Sequence, residues 1–285
     1  MTDNPERAEL ALFPLNTVLL PGVALPLHIF EERYRLMIGR CVERRDPFGV
    51  VLIRQGSEAG GGSTKLAEIG TVARIRQASR YADGRMDIVT VGVSRFRIDE
   101  LYASREPYMT AEVTLLDEPL GADGDARQLS HRVGRSFLRY LELLQPALAS
   151  DDMPEIEVEI EIEAPDDTAD EEPVPLELED LGAILDESAL DRPIDTTSLD
   201  GDQRRQLLMA AARRLTATSD PTELSYLVSG LIQVETGQRQ SLLETLDTAS
   251  RLSGLDAILR REIQLLSRHL KPLALDPRLA ALRRN

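Results

Sequence analysis

The stretch VLLPGVALPLHIFEERYRLMIGRCVE, residues 18–43, changes its hydrophobic period halfway along, and that change decides the fold class. Its first half is made of short apolar runs. Residues 18–20 end at Pro21-Gly22, a turn pair, and residues 24–30 follow as a second run interrupted by Pro26. Proline lacks the N–H that a sheet ladder needs, so these runs belong at sheet edges or bends. From Glu31 to Glu43 the period becomes helical. Tyr34, Met37, Ile38, Cys41 and Val42 recur at three- and four-residue spacing, with Glu31, Glu32, Arg33, Arg35 and Arg40 mostly on the other side.

Outward from that helix the pattern is β-rich as far as about Asp117. Residues 48–53 form a continuous apolar run of strand length, and Gly60-Gly61-Gly62-Ser63 reads as a flexible loop. Residues 69–81 alternate and end at Ala82-Asp83-Gly84, a hairpin turn. Residues 86–93, 96–102 and 108–116 read as three further strands. Short strands with a single helix argue for a small curled sheet or barrel, because a parallel α/β sheet needs a helix between most strands.

Beyond Pro119 the chain turns helical. Asp123-Gly124-Asp125 can cap a helix whose apolar stripe is Leu129, Val133, Phe137, Tyr140, Leu141, Leu144 and Leu148. Residues 203–215 are rich in Arg and Ala. Asp220-Pro221-Thr222-Glu223 combines a cap residue, a first-turn proline and a glutamate at the capping-box position. Leu224, Leu227, Val228, Leu231 and Ile232 then give one apolar face, residues 238–246 another. Leu252, Leu255, Leu259, Ile263, Leu266 and Leu270 give a longer one. These stripes predict a bundle of four or five helices.

Charge is concentrated in one place. The 285 residues carry 49 Asp and Glu against 33 Lys and Arg, a net charge of −16. Residues 151–191 hold 18 of the acidic residues and no basic one, which leaves 31 acidic against 33 basic elsewhere. Within that stretch, residues 155–163 alternate Glu with Ile or Val, so a strand there has one aliphatic and one anionic face. An acidic linker and an added strand or β-hairpin both fit the pattern. Nucleic-acid binding is not expected, because there is no basic cluster with interleaved aromatics to neutralise phosphates.

Catalytic signatures are missing from the sequence. Lys65 lies between Thr64 and Leu66, so the glycine-rich loop before it is not a P-loop. The only lysines are Lys65 and Lys271, and the three histidines, His28, His131 and His269, are far apart in the chain. There is no Gly-x-Ser-x-Gly or His-Glu-x-x-His motif. Cys41, the single cysteine, sits on the apolar face of its helix and reads as an inert core thiol. The Asp-Gly-Asp pairs at 123–125 and 200–202 lack the further acidic ligands of a calcium loop, and helix capping accounts for both. No metal or cofactor is expected. With no secretory leader and no apolar run long enough to span a bilayer, the expected location is the cytoplasm.

Several short motifs, in order, carry a family resemblance. Phe13-Pro14-Leu15, Leu20-Pro21-Gly22, Pro26-Leu27 and Ile29-Phe30-Glu31, with Arg33-Tyr34 and Met37, closely resemble the start of the Lon protease N-terminal, substrate-binding domain. Residues 68–73, Val91-Gly92, Arg95-Phe96 and Tyr108 resemble that domain's sheet segments. Asp220-Pro221 through Leu231, Leu242-Leu243-Glu244 and Leu246-Asp247 with Arg251-Leu252 resemble its helical part. The resemblance implies an α+β fold, a PUA-like β pseudo-barrel carrying one helix and followed by a helical bundle subdomain. The expected boundaries are 1–118 for the barrel, 119–150 for the first long helix, 151–201 for the acidic insert and 202–285 for the remaining helices. The acidic insert departs from the family pattern.

The resemblance also implies a function: a non-catalytic module that binds unfolded or tagged polypeptides, without the ATPase and peptidase engines of full-length Lon. An adaptor that docks on a separate protease or ATPase subunit is the alternative, and an ATP-independent hydrolase is a third. Leu19, Leu20, Pro21, His28 and Phe30 are the candidate peptide-binding residues. They lie where prolines interrupt packing, so that apolar side chains or an open strand edge can meet a partner.

Overall fold

Eight strands and five helices make up the described part of the chain, with a closed ring of strands at its centre. The computed structural model describes residues 7–55, 65–121, 125–148, 174–176, 216 and 218–268. The strands are β1 (Arg7–Leu15), β2 (Ala24–Ile29), β3 (Phe48–Gln55), β4 (Lys65–Leu66), β5 (Ile69–Arg80), β6 (Met86–Tyr102), β7 (Thr110–Leu115) and β8 (Val174–Leu176). The helices are α1 (Glu32–Arg44), α2 (Asp125–Leu148), α3 (Pro221–Leu231), α4 (Thr236–Glu244) and α5 (Thr248–Ser267).

The ring runs β5, β6, β7, β1, β3 and back to β5, with β1 and β3 its only parallel pair. Closure removes the exposed edges that an open sheet would carry. Phe96 is fully buried inside the ring, and Gly49 and Gly70 make room for it. A Cβ at Gly49 would stand 2.8 Å from the Phe96 ring, and one at Gly70 2.6 Å from it. The expected α+β pseudo-barrel with one helix is therefore the observed fold.

Beyond the ring, the β5–β6 hairpin projects as an arm. Here β6 pairs with β2 along residues 86–91, and β5 pairs with β8 along residues 78–80, so the arm is four strands wide in the order β2, β6, β5, β8. Helix α1 covers one face. Its Tyr34, Met37, Ile38 and Cys41 pack with Leu27 and Ile29 of β2, Met86 and Ile88 of β6 and Ile75 and Ala78 of β5. That is the face expected from the 3.6-residue period.

Two strand expectations need correction, and one strand was not anticipated. Residues 86–93 and 96–102 are one strand, β6. The break is a bulge, since Val72 pairs with Ser94 and Ala73 with Gly92, leaving Val93 as the extra, exposed residue. Residues 18–20 form no strand; their backbone is held instead by Thr71 Oγ1, which donates to the Leu19 carbonyl at 2.7 Å, and by the bridge from Pro21 to Gly92. Strand β1 was hidden by its polar start and by Pro14, yet Leu10, Leu12, Phe13 and Leu15 are all buried. The alternating residues 155–163, the Gly60–Gly62 loop and the Arg-rich residues 203–215 lie outside the described residues.

Helices α2, α3 and α5 enclose a second core of Val133, Phe137, Tyr140, Leu224, Val228, Leu252, Leu255 and Leu259. Asp220 caps α3 as expected, accepting from the Thr222 N–H at 2.8 Å, with Pro221 in the first turn. Glu223 does not close the capping box. It accepts from Thr218 Oγ1 at 2.6 Å instead.

A buried ionic clasp ties the bundle to the barrel. Glu118, on the connection after β7, accepts from Arg95 of β6 at 2.7 and 3.2 Å, from Arg251 of α5 at 3.1 Å and from the Tyr226 hydroxyl of α3 at 2.6 Å. Arg95 also donates to the carbonyls of Leu243 and Thr245, at 2.9 and 2.6 Å. Arg251 donates to the Leu242 carbonyl at 3.2 Å and lies 3.9 Å over the Tyr226 ring. Burial lowers the pKa of Arg251 from its ordinary value, and the neighbouring Glu118 works against that shift. The connection is pinned further at the start of α5, where Thr248 N–H donates to the Pro119 carbonyl and Ala249 N–H to that of Leu120, at 3.0 and 3.1 Å.

Candidate functional site

The arm brings the exposed chemistry of the barrel together. Its register sets rows across all four strands. Leu27, Ile88, Ala78 and Leu176 form one row, His28, Asp87, Ser79 and Pro175 the next, and Ile29, Met86, Arg80 and Val174 the third. Leu27, Ile29, Ile88 and Met86 face α1, so by the two-residue alternation of strands His28 and Asp87 face the opposite, outer side.

At the tip of that outer face a small polar and aromatic group assembles. His28 Nδ1 lies 2.6 Å from Asp87 Oδ1, and the Tyr81 hydroxyl donates to Asp87 Oδ2 at 2.5 Å. Phe30 stacks against His28 with ring centroids 6.3 Å apart, and the Tyr81 ring meets the imidazole edge-on at 6.1 Å. The Asp87 carboxylate holds the Tyr81 phenol above its ordinary range, since the hydrogen bond is made by the protonated form. Among the described residues no hydroxyl or thiol is hydrogen-bonded to His28, so the pair lacks the nucleophile of a hydrolytic triad. It orients an imidazole and two rings at the surface.

The five candidate residues thus separate into two groups. His28 is 41% exposed and Phe30 partly so, side by side on the outer face. Leu19, Leu20 and Pro21 are buried: Leu19 packs in the α1 core and Leu20 in the ring core. Gly92 lets this segment lie flat on β6, because a Cβ there would run into the Leu20 carbonyl oxygen. Asp87 and Tyr81 were missed as members of the group. The only sequence signal for them is the hairpin turn at residues 82–84, which places the ends of β5 and β6 beside one another.

Strand edges are the second feature of the arm. On the side away from β6, strand β5 pairs with β3 at residues 71–73 and with β8 at residues 78–80. Between them, residues 74–77 have no strand partner on that side among the described residues. Arg74 and Arg76 are exposed there, and Arg76 is the extra residue of a bulge, since Ile75 pairs with Thr90 and Gln77 with Val89. The outer edge of β2 is likewise unpaired among the described residues.

A separate cleft of about 690 Å³ lies between β3, β4 and α4, lined by Arg54, Gln55, Lys65, Gln240, Ser241 and Glu244 among others. Arg54 donates to Glu244 across it, and Gln240 reaches the Ile69 carbonyl at 2.9 Å. These contacts tie its walls to one another.

The cysteine is committed to packing. Burial pushes the Cys41 thiol up to about 11, which keeps it protonated and unreactive near neutral pH. Among the described residues no group of three or more His, Cys, Asp or Glu is placed to hold a metal ion, and no helix is long and apolar enough to cross a membrane.

Comparison with known proteins places the chain in a family. The model of the family described as the ATP-dependent protease La (LON) substrate-binding domain matches residues 9–261. The chain belongs to the Lon substrate-binding domain family. Among its relatives, the Lon protease of Flavobacterium johnsoniae is 33% identical over 127 residues, which is 44% of this chain and 15% of that protein. Lon protease of Anaeromyxobacter dehalogenans is 28% identical over 148 residues, 50% of this chain and 17% of the relative. This Lon-family chain therefore aligns with only a small fraction of the length of its curated relatives. Of solved structures, the Lon N-terminal domain protein from Xanthomonas campestris is 22% identical with a TM-score of 0.47, covering 88% of this chain and 98% of that one. The N-terminal domain of Mycobacterium avium complex Lon protease is 18% identical with a TM-score of 0.49, covering 92% and 100%.

Proposed function

We propose that this Lon-family chain is a non-catalytic module that binds extended segments of other polypeptides on the arm of its barrel. The observation that carries the reading is the pairing of β5 with β8. A three-residue segment, far away in the sequence, is held on that edge by strand pairing, which is how an extended peptide is captured by a sheet. Family membership supports the same reading, since the family that matches residues 9–261 is described as the substrate-binding domain of an ATP-dependent protease. Main-chain pairing recognises any extended chain, and His28, Phe30 and Tyr81 on the adjoining outer face supply aromatic contacts.

Titrating a permanently unfolded protein, such as reduced and carboxymethylated lactalbumin, against the full chain tests this by fluorescence anisotropy without nucleotide. Saturable binding is expected, weakened several-fold by His28→Ala with Phe30→Ala while the thermal midpoint stays within a few degrees. Absence of binding refutes the module. Binding that the double variant leaves unchanged removes the outer face from the site. Accumulation of cleaved lactalbumin, abolished by a point substitution in the chain, would refute the non-catalytic reading.

A further inference from the structure

We infer that the β5 edge is a docking site for extended aliphatic segments flanked by acidic residues, and that residues 174–176 of this chain are its resident competitor. The inference rests on the peptide-binding reading above and adds both a ligand chemistry and a form of regulation.

Four observations lead to it. First, Val174, Pro175 and Leu176 pair with Arg80, Ser79 and Ala78 in antiparallel register, although the whole of β6, β7 and α2 intervenes in the chain. The contact is not a local hairpin, so the sequence separation has to be overcome by affinity for that edge. Second, the occupant is a weak one. It spans three residues, and in an antiparallel pair only alternate residues turn their backbone groups to a given neighbour, so a longer extended segment pairs with more of the β5 edge.

Third, the charges are complementary. Arg74, Arg76 and Arg80 are exposed along β5, whereas the segment lies in the stretch of 18 acidic and no basic residues, with Glu171 and Glu172 shortly before it and Glu177, Glu179 and Asp180 after it. The antiparallel register gives the charges a direction. A ligand that takes the rows of residues 80, 79 and 78 continues towards Arg76 and Arg74, where β5 has no strand partner on that side among the described residues. Acidic residues on the C-terminal side of an aliphatic triplet therefore meet two arginines. Fourth, Arg76 is the extra, exposed residue of a bulge on the stretch of β5 that has no strand partner on that side among the described residues, and bulges are over-represented at sheet edges and beside sites.

A tethered competitor acts through its effective concentration, and a site that is occupied in cis about nine-tenths of the time binds a free ligand about ten-fold more weakly. Clients of this edge are then restricted to segments that pair better than Val-Pro-Leu. Weakly pairing chains are turned away without any moving domain.

The test uses the full chain and a variant with Val174→Gly, Pro175→Gly and Leu176→Gly. The probe is a fluorescein-labelled peptide of residues 168–182, TADEEPVPLELEDLG. Carboxymethylated lactalbumin serves as a second probe, and circular dichroism confirms that each protein is folded. The expected result is about ten-fold tighter peptide binding by the glycine variant than by the parent. That gain should be reversed when Arg74→Glu and Arg76→Glu are added. Equal or weaker peptide binding by the glycine variant overturns the competitor, and if lactalbumin still binds, the module itself stands. Charge-reversed protein that binds the peptide as tightly as the glycine variant overturns the acidic preference. If neither probe binds either protein, the peptide-binding reading falls and the docking site falls with it.

Discussion

Substituting Glu118 by alanine removes the acceptor on which barrel and bundle converge. Four donated hydrogen bonds end on this carboxylate, two from Arg95, one from Arg251 and one from Tyr226. Taken singly, a hydrogen bond to a charged group contributes about 1.5–3 kcal/mol. Summing them overcounts, because both guanidiniums keep backbone carbonyls as partners and the Glu118 side chain is 27% exposed, so water replaces part of what is lost. Deleting one partner of a buried pair costs about 3–5 kcal/mol, mostly from the charge left uncompensated, and the partial exposure puts Glu118→Ala near the lower end, at about 3 kcal/mol. At about 2–4 °C per kcal/mol for a chain of this size, the thermal midpoint should fall by about 6–12 °C.

Urea unfolding followed by far-UV circular dichroism measures the loss. Because the clasp joins two cores, the curve should also broaden or split as barrel and bundle uncouple. A cycle with Arg251→Met sharpens the test: Glu118→Ala should cost less in the Arg251→Met background than in the parent, with a coupling of about 1–3 kcal/mol. A Glu118→Ala protein within about 0.5 kcal/mol of the parent, or strict additivity in the cycle, would refute the claim that this network holds the two parts together.

Three further outcomes follow from the same geometry. Gly92→Ala should destabilise by about 1–3 kcal/mol or more in urea unfolding, because the new Cβ meets the Leu20 backbone while the Gly92 N–H and carbonyl are both engaged with the same loop. Asp247→Ala should cost about 0.5–2 kcal/mol by removing the cap of α5, where Asp247 accepts from the Ser250 N–H at 2.8 Å. That hydrogen bond holds the carboxyl below its ordinary value, so its contribution is present above the unfolded value of about 3.9 and lost as pH falls; parent and variant stabilities should converge in acid. Cys41, raised to about 11, should react with Ellman's reagent far more slowly in the native protein near neutral pH than in urea. Its contribution to stability is complete below the ordinary thiol value of about 8.5 and declines as pH rises towards 11, so rapid stoichiometric labelling of native protein at neutral pH would contradict the burial.

Elements whose signals are local could be read from the chain. Helix α1 was evident because Tyr34, Met37, Ile38 and Cys41 share one face, and that face is the buried one. Helix α3 announced itself through Asp220 and Pro221, and the observed cap matches, whereas the Glu223 contact depended on Thr218, a residue outside the motif. Strand β6 was divided in two because Ser94-Arg95 separates two apolar runs. That break marks a bulge, and whether a bulge ends a strand depends on partners in β5 that periodicity does not display. The clasp was illegible for a related reason. Arg95, Glu118, Tyr226 and Arg251 look like surface residues one at a time, and only the docking of bundle on barrel buries two arginines around one carboxylate.

The same distinction explains why the candidate site was read only in part. Leu19, Leu20 and Pro21 were chosen because prolines interrupt the run, on the premise that an interrupted run packs poorly. The premise fails where Thr71 and Gly92 supply bonds and clearance that the run itself lacks, so Leu19 and Leu20 reach the core without forming a strand. His28 and Phe30 were reached by the same reasoning and do lie at the surface, but what groups them with Tyr81 and Asp87 is the register between β2 and β6, fixed by which side chains α1 buries. A strand edge is harder still to see in advance, since its recognition chemistry is backbone that every residue carries. Only charge left a trace. The arginines of β5 and the acidic stretch around Val174 lie far apart in the chain, and their complementarity gains a meaning once the ladder sets Arg80 opposite Val174.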